Sequence, residues 1–232
     1  MTQRIACADG AHRERAVAAA RAALRRGDLV VLPTESSYAL AADAFSAAGV
    51  ARLREAKDLD GRSAPAILVP SAVTVTGLAA RVSDAARALM SAFWPGGLTL
   101  LMPASPTLSW TLPPQAPVAV RQPLHPLTLA VLAATGPLAV STATRGGAAV
   151  PTSLDGALEC VGEWTSLALD TGDVPEPDAP PSTIVDVTTD TPVIVRAGAV
   201  SEHQVQVVLE AIQVAPAPGA SQTDGQGARP VE

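Results

Sequence analysis

The 232-residue chain is poor in the residues that usually carry conspicuous chemistry: it has two cysteines, three histidines, one tyrosine, two phenylalanines and three tryptophans. Cys7 and Cys160 lie far apart without a neighbouring ligand pattern, which argues against a disulfide framework and a cysteine-based zinc site. His12, His125 and His203 form no metal-ligand spacing, so no protein-bound metal is expected. No run of 18 apolar residues occurs, and Met1 to Cys7 lead into an acidic, polar stretch instead of the apolar segment of a signal peptide. A cytoplasmic protein without membrane association is the expectation. Positive charge is scarce as well: 16 Lys and Arg against 22 Asp and Glu give a net charge of -6, which argues against broad electrostatic capture of nucleic acid. A phosphate-binding P-loop and a dinucleotide fingerprint after the first strand are both missing, and the strands are too unevenly spaced for an eightfold barrel.

What remains is a folding chain, 48% hydrophobic and only 16% charged, too apolar to stay unfolded. Residues 12 to 26 read as a helix closed by Gly27, and Asp28 to Leu32 as a buried strand stopped by Pro33. Ser46 and Ser83 are positioned to cap helices ending near Ala56 and Phe93. Pro65 to Val69, Leu98 to Met102, Val118 to Arg121, Leu138 to Val140, Thr183 to Val187 and Pro192 to Val195 are strand-like, with helices near 127 to 135 and 202 to 214. This order predicts one mixed-sheet α/β domain over residues 13 to 214, with a lead-in at 1 to 12. The Pro, Gly, Gln and Ser of 215 to 232 read as a flexible tail.

Three strand ends concentrate polar groups. Pro33-Thr34-Glu35-Ser36-Ser37-Tyr38 offers hydroxyls and a carboxylate, either to orient a small polar ligand or to satisfy its own loop. Arg121-Gln122-Pro123-Leu124-His125-Pro126 presents a fixed cation suited to a carboxylate or phosphate, beside a histidine better read as structural than as a general base. Ser141-Thr142-Ala143-Thr144-Arg145-Gly146-Gly147 can surround an anion or form a polar structural turn. Pro181-Ser182-Thr183 adds hydroxyls at a strand entrance, and Arg196 a second strand-end cation. Lys57, Arg62, Arg121, Arg145 and Arg196 are thus the candidates for a local cationic cleft, whereas Arg13, Arg15, Arg21, Arg25 and Arg26 crowd one helical segment and read as solvated surface.

Four of these segments occur in the order of a known family. Pro33 to Leu40, Phe93-Trp94-Pro95-Gly96-Gly97-Leu98-Thr99, Val120 to Pro126 and Ser182 to Asp186 together resemble the YrdC-like threonylcarbamoyl-adenylate synthases over residues 13 to 200. The resemblance implies a twisted mixed sheet with flanking helices around a concave cleft, and a corner at Phe93 to Gly97 where Trp94 has a structural role. It also implies a reaction in which threonine and bicarbonate form an N-carboxy intermediate that attacks the α-phosphate of ATP, with magnesium on the nucleotide, giving the adenylate and pyrophosphate. A transferase partner then uses the adenylate for t6A modification of transfer RNA.

By the same resemblance, Thr34, Glu35 and Tyr38 line the threonine side, joined by Thr142 and Thr144. Lys57, Arg62 and Arg121 carry the catalytic charge stabilisation. Lys57, Arg121, Thr142, Arg145, Ser182, Thr183 and Arg196 face the nucleotide. The sequence departs from the family at its Lys-x-Arg pair, which here is Lys57 and Leu59, and at its Ser-x-Asn pair, which here is Thr142 and Thr144. Arg62 is the candidate replacement for the missing arginine. Ala39 stands where glycine is usual. These departures keep open a second expectation, a non-synthase paralogue of the YciO type that binds nucleotide or double-stranded RNA.

Overall fold

The computed structural model describes residues 2–7, 9–58, 64–106, 116–172, 174 and 179–214, with backbone alone for 213 and 214. Leu59, Arg62 and the segment 215–232 lie outside the described residues. In chain order the elements are β1 (Gln3–Ala6), α1 (Gly10–Arg25), β2 (Leu29–Pro33), β3 (Tyr38–Asp43), α2 (Ala47–Ala56), β4 (Ala66–Leu68), α3 (Asp84–Phe93), β5 (Leu98–Pro103), β6 (Pro117–Arg121), α4 (Pro126–Thr135), β7 (Leu138–Thr142), α5 (Leu154–Val161), β8 (Thr165–Asp170), β9 (Thr183–Asp186), β10 (Val193–Arg196) and α6 (Glu202–Val214).

Short polar side chains start several of the helices. Ser46, Ser83 and Ser153 accept hydrogen bonds from the amides of Gly49, Ala86 and Gly156, so α2, α3 and α5 begin with one orphan donor already satisfied. Asp9 does the same for α1 through the His12 amide. Gly27, at φ +80°, then turns the chain into β2, a conformation that a side chain would strain. The start of α1 at Gly10 lies two residues ahead of the helix read from alanine spacing. The segment before it is an edge strand rather than a simple lead-in.

Among the described residues ten strands form one mixed sheet, in the order β1-β8-β2-β3-β7-β4-β6-β5-β9-β10. Pairs β1/β8, β2/β8, β4/β6 and β5/β9 are parallel; the other five are antiparallel. Alternation of side chains gives the sheet two different faces. One face buries Val31, Leu40, Ile67, Leu98, Leu100, Val120 and Val185 against α2, α3, α5 and α6. The other buries Val30, Leu32, Ala41, Val140 and Leu167 under Ala16, Ala20 and Leu24 of α1 and Leu127, Val131 and Leu132 of α4.

Among the described residues, the helices on this second face cover only the half from β1 to β4. Across β6, β5, β9 and β10 the same face carries Ala119, Leu101, Ile184 and Asp186, all partly exposed, and the exposed Val193. The polar strand ends lie at the border of this half-covered sheet.

Candidate functional site

The turn between β2 and β3 closes on itself. The Thr34 amide donates to the Ser37 carbonyl at 2.7 Å, the Thr34 hydroxyl donates to the same carbonyl at 2.6 Å, and the Ser37 amide donates back to the Thr34 hydroxyl at 3.3 Å. Thr34 is therefore buried and engaged within the loop, and Glu35 is the turn's reach outward. One Glu35 oxygen accepts from Arg121 Nη2 at 3.0 Å, and the other accepts from the Leu124 amide. Tyr38 does not stand on an open wall: its ring is fully buried, its hydroxyl donates to the Gly172 carbonyl, and burial raises its pKa.

Arg121 sits at the end of β6, and its orientation is set from two sides. Beside the Glu35 contact, Nε donates to the Gly96 carbonyl at 2.9 Å. That carbonyl belongs to the corner after α3, where Trp94 packs against the larger core, its indole Nε1 donating to Leu98 O at 2.8 Å, and where the Trp94–Pro95 bond is cis. The structural role expected of Trp94 is what its contacts give. The Gly96 amide also donates to Gln122 O at 2.9 Å, tying the corner to the Arg121 turn. A Cβ on Gly97 would lie 2.6 Å from the Cβ of Ala199, so the chain passes too closely there for any larger residue.

His125 precedes α4 and is 8% exposed, with Nδ1 buried and, among the described residues, without a hydrogen-bond partner. Burial lowers its pKa, with nearby Glu35 opposing and Arg13 reinforcing the shift. It stays neutral at physiological pH.

Lys57, at the end of α2, is committed to the chain itself. Its ammonium donates to Thr142 O at 2.7 Å, to Thr144 Oγ1 at 3.1 Å and to the Thr144 carbonyl. Three donors thus meet three protein acceptors. Burial lowers the Lys57 pKa. Lys57 and Thr144 therefore act together to fix the turn after β7, and this occupies the ammonium that the sequence offered for phosphate. Thr142 pairs with Ala39 of β3, which sets this turn beside the Thr34–Ser37 loop.

The third group borders the uncovered face. Arg196 Nη2 donates to Ser182 O at 2.8 Å and to Ser182 Oγ at 3.1 Å, and Ser182 Oγ lies 2.8 Å from Thr99 Oγ1. Thr99 stands one position beyond the Leu100–Val120 pair of β5 and β6, alongside Arg121 and on the same face of the sheet. Arg121, Thr99, Ser182 and Arg196 thereby make one polar border along adjacent strands. Thr183 is fully buried, its hydroxyl donating to Val200 O and accepting from the Val200 amide at 2.9 Å, so it pins the strand and has no free face for a nucleotide. Arg145 is turned to the surface, where it pairs with Glu163 at 2.8 Å and lies 5.7 Å from the Trp164 ring centroid.

Thr99 and the Gly96 carbonyl were not singled out from the sequence. A lone threonine on the open side of an alternating apolar strand was the available signal for the first. The carbonyl of a glycine corner carries none.

Residues 22–198 match the Sua5/YciO/YrdC family, whose description reads telomere recombination. The chain belongs to that family. It is 43% identical over 205 residues to a Mycobacterium leprae protein provisionally named threonylcarbamoyl-AMP synthase, a match covering 88% of this chain and 92% of that protein. The Bacillus subtilis threonylcarbamoyl-AMP synthase is 30% identical over 204 residues, which is 85% of this chain and 58% of the longer relative. The structure of Pyrococcus abyssi Sua5 complexed with L-threonine superposes with a TM-score of 0.79 at 28% identity, covering 90% of this chain and 61% of that one. Escherichia coli YciO, 21% identical with a TM-score of 0.74, shares the fold over 88% of this chain and 99% of its own.

Proposed function

We propose that the chain is an L-threonylcarbamoyl-AMP synthase. In this reading threonine reacts with bicarbonate to give N-carboxythreonine, water leaving. An oxygen of the new N-carboxy group attacks the α-phosphorus of ATP, and the bond to the β-phosphate oxygen breaks to release pyrophosphate. Arg121 holds the threonine carboxylate beside the Thr34–Ser37 turn, with Thr99, Ser182 and Arg196 on the nucleotide side. The observation that carries the reading is the pre-orientation of Arg121, locked by the Gly96 carbonyl and Glu35 at the edge of the uncovered sheet. Fixed donors of this kind stabilise charge without reorganising during the reaction. Magnesium arrives with the triphosphate in this reading. The product is a reactive mixed anhydride, and a transferase that modifies transfer RNA is its consumer.

A second reading is favoured by one observation, the commitment of the Lys57 ammonium to Thr142 and Thr144. On that reading the chain is a YciO-type paralogue that binds nucleotide or double-stranded RNA without synthesis. One experiment separates the two. Purified protein is supplied with threonine, bicarbonate, ATP and magnesium, and mass spectrometry looks for the adenylate while pyrophosphate is followed in parallel. Threonine-dependent adenylate supports the synthase; nucleotide binding without that product supports the paralogue.

A further inference from the structure

We propose that Glu35 makes the Arg121 site selective for α-amino acid zwitterions over simple carboxylates. The inference rests on the threonine reading above and goes beyond it by assigning the discrimination to one side chain. Glu35 and Arg121 form a 3.0 Å ion pair, and their side chains are only 15% and 18% exposed. Each is held by a backbone group as well, Glu35 by the Leu124 amide and Arg121 by the Gly96 carbonyl, so neither swings freely away from the other. Arg121 thus arrives at the site already neutralised.

A monoanion reaching the remaining donors of Arg121 also approaches the Glu35 carboxylate, and in a partly shielded position that repulsion is weakly screened. A zwitterion brings its own compensation, since its carboxylate faces Arg121 while its ammonium faces Glu35, giving an alternating arrangement of four charges. His125, adjacent to the Leu124 amide, is buried and kept neutral, so it supplies Glu35 with no competing cation. The selective element is therefore the acid, which rejects the wrong ligand as well as receiving the right one.

The test is calorimetric titration of the full chain with L-threonine and with β-hydroxybutyrate, which lacks the amino group, repeated on Glu35→Gln. The glutamine keeps a carbonyl oxygen for the Leu124 amide and loses the charge. The unaltered chain is expected to prefer threonine by about tenfold or more, and Glu35→Gln to bring the two ligands within about twofold, with β-hydroxybutyrate binding more tightly than before. An unchanged preference, or a parallel loss for both ligands, overturns the proposal and leaves Glu35 as a support for Arg121. If the unaltered chain binds neither ligand and makes no threonine-dependent product, the threonine reading itself fails and this inference with it. Should Glu35→Gln fail to fold, the unaltered chain decides alone: affinity for β-hydroxybutyrate equal to or above that for threonine overturns the proposal.

Discussion

Gly198 sits where two backbones run together, and replacing it with alanine is the sharpest test of how the nucleotide-side wall is built. A Cβ there would fall on the Pro181 carbonyl oxygen and lie 2.8 Å from both Ser182 C and Thr183 N. All three neighbours are backbone, so no rotamer change relieves the overlap and the 181–183 segment must move as a unit. Movement strains the Ala199 N to Pro181 O bond, 2.9 Å long, and the Thr183–Val200 pair beneath it. Overpacking of this kind costs about 1–3 kcal/mol, and weakening one hydrogen bond adds about 0.5–1.5 kcal/mol. The expected loss is about 2–4 kcal/mol, a large share of the roughly 5–15 kcal/mol typical of a domain. Urea unfolding should show a lower midpoint with an unchanged slope. Nucleotide affinity should fall with it, because Ser182 carries Arg196 and Thr99. Gly146→Ala is the control: it has the same added methyl and a strained φ of +62°, but nothing within 4 Å, so its loss should be the smaller. A Gly198→Ala midpoint equal to that of the unaltered chain, or a larger loss in Gly146→Ala, would refute the argument.

Three other outcomes are expected. Lys57→Met strands the Thr142 and Thr144 carbonyls and should lower stability by about 1–3 kcal/mol; thermal unfolding checks this, and an unchanged melting temperature counts against a clamping role. For His125, burial lowers the folded-state pKa below the usual 6.5, so its contribution is complete above that value and is lost as pH falls through the folded pKa. The urea midpoint of the unaltered chain should accordingly drop more steeply below pH 6.5 than that of His125→Gln. Finally, Leu59→Arg with Thr142→Ser and Thr144→Asn, which restores the family pattern, should raise threonine-dependent adenylate in the mass-spectrometric assay. An unchanged yield would place the divergence elsewhere in the pocket.

Much of the fold was legible because its signals are local. The serine caps of α2 and α3 and the apolar runs of β2, β5 and β6 fall where spacing and turn residues put them. β3 was harder: Tyr38-Ala-Leu-Ala-Ala-Asp43 is rich in alanine, which has little preference for strand, and it is extended because β2 and β7 flank it. β1 and β8 are similarly a matter of pairing, and α5 carries Gly156 in its interior. The site divides the same way. Arg121 is visible as a strand-end cation, but its partner Glu35 is 86 residues away, and no local pattern reports that the two meet. Tyr38 and Thr183 were read as ligand-facing from the family resemblance, not from their local pattern. Which side of the strand they occupy is decided by packing.

The alternation along β5 separates two kinds of inheritance. Leu98, Leu100 and Met102 are held by the core, while Thr99, buried beside Ser182, and the partly exposed Leu101 point to the other face. The two sets share a backbone and answer to different demands: one must keep its volume, and the other only its polarity and shape. A change on the open side leaves the core's packing untouched. A lineage can therefore edit what this surface recognises one residue at a time and remain folded throughout. That freedom is how a chain can lose the family's usual site residues and still keep its sheet.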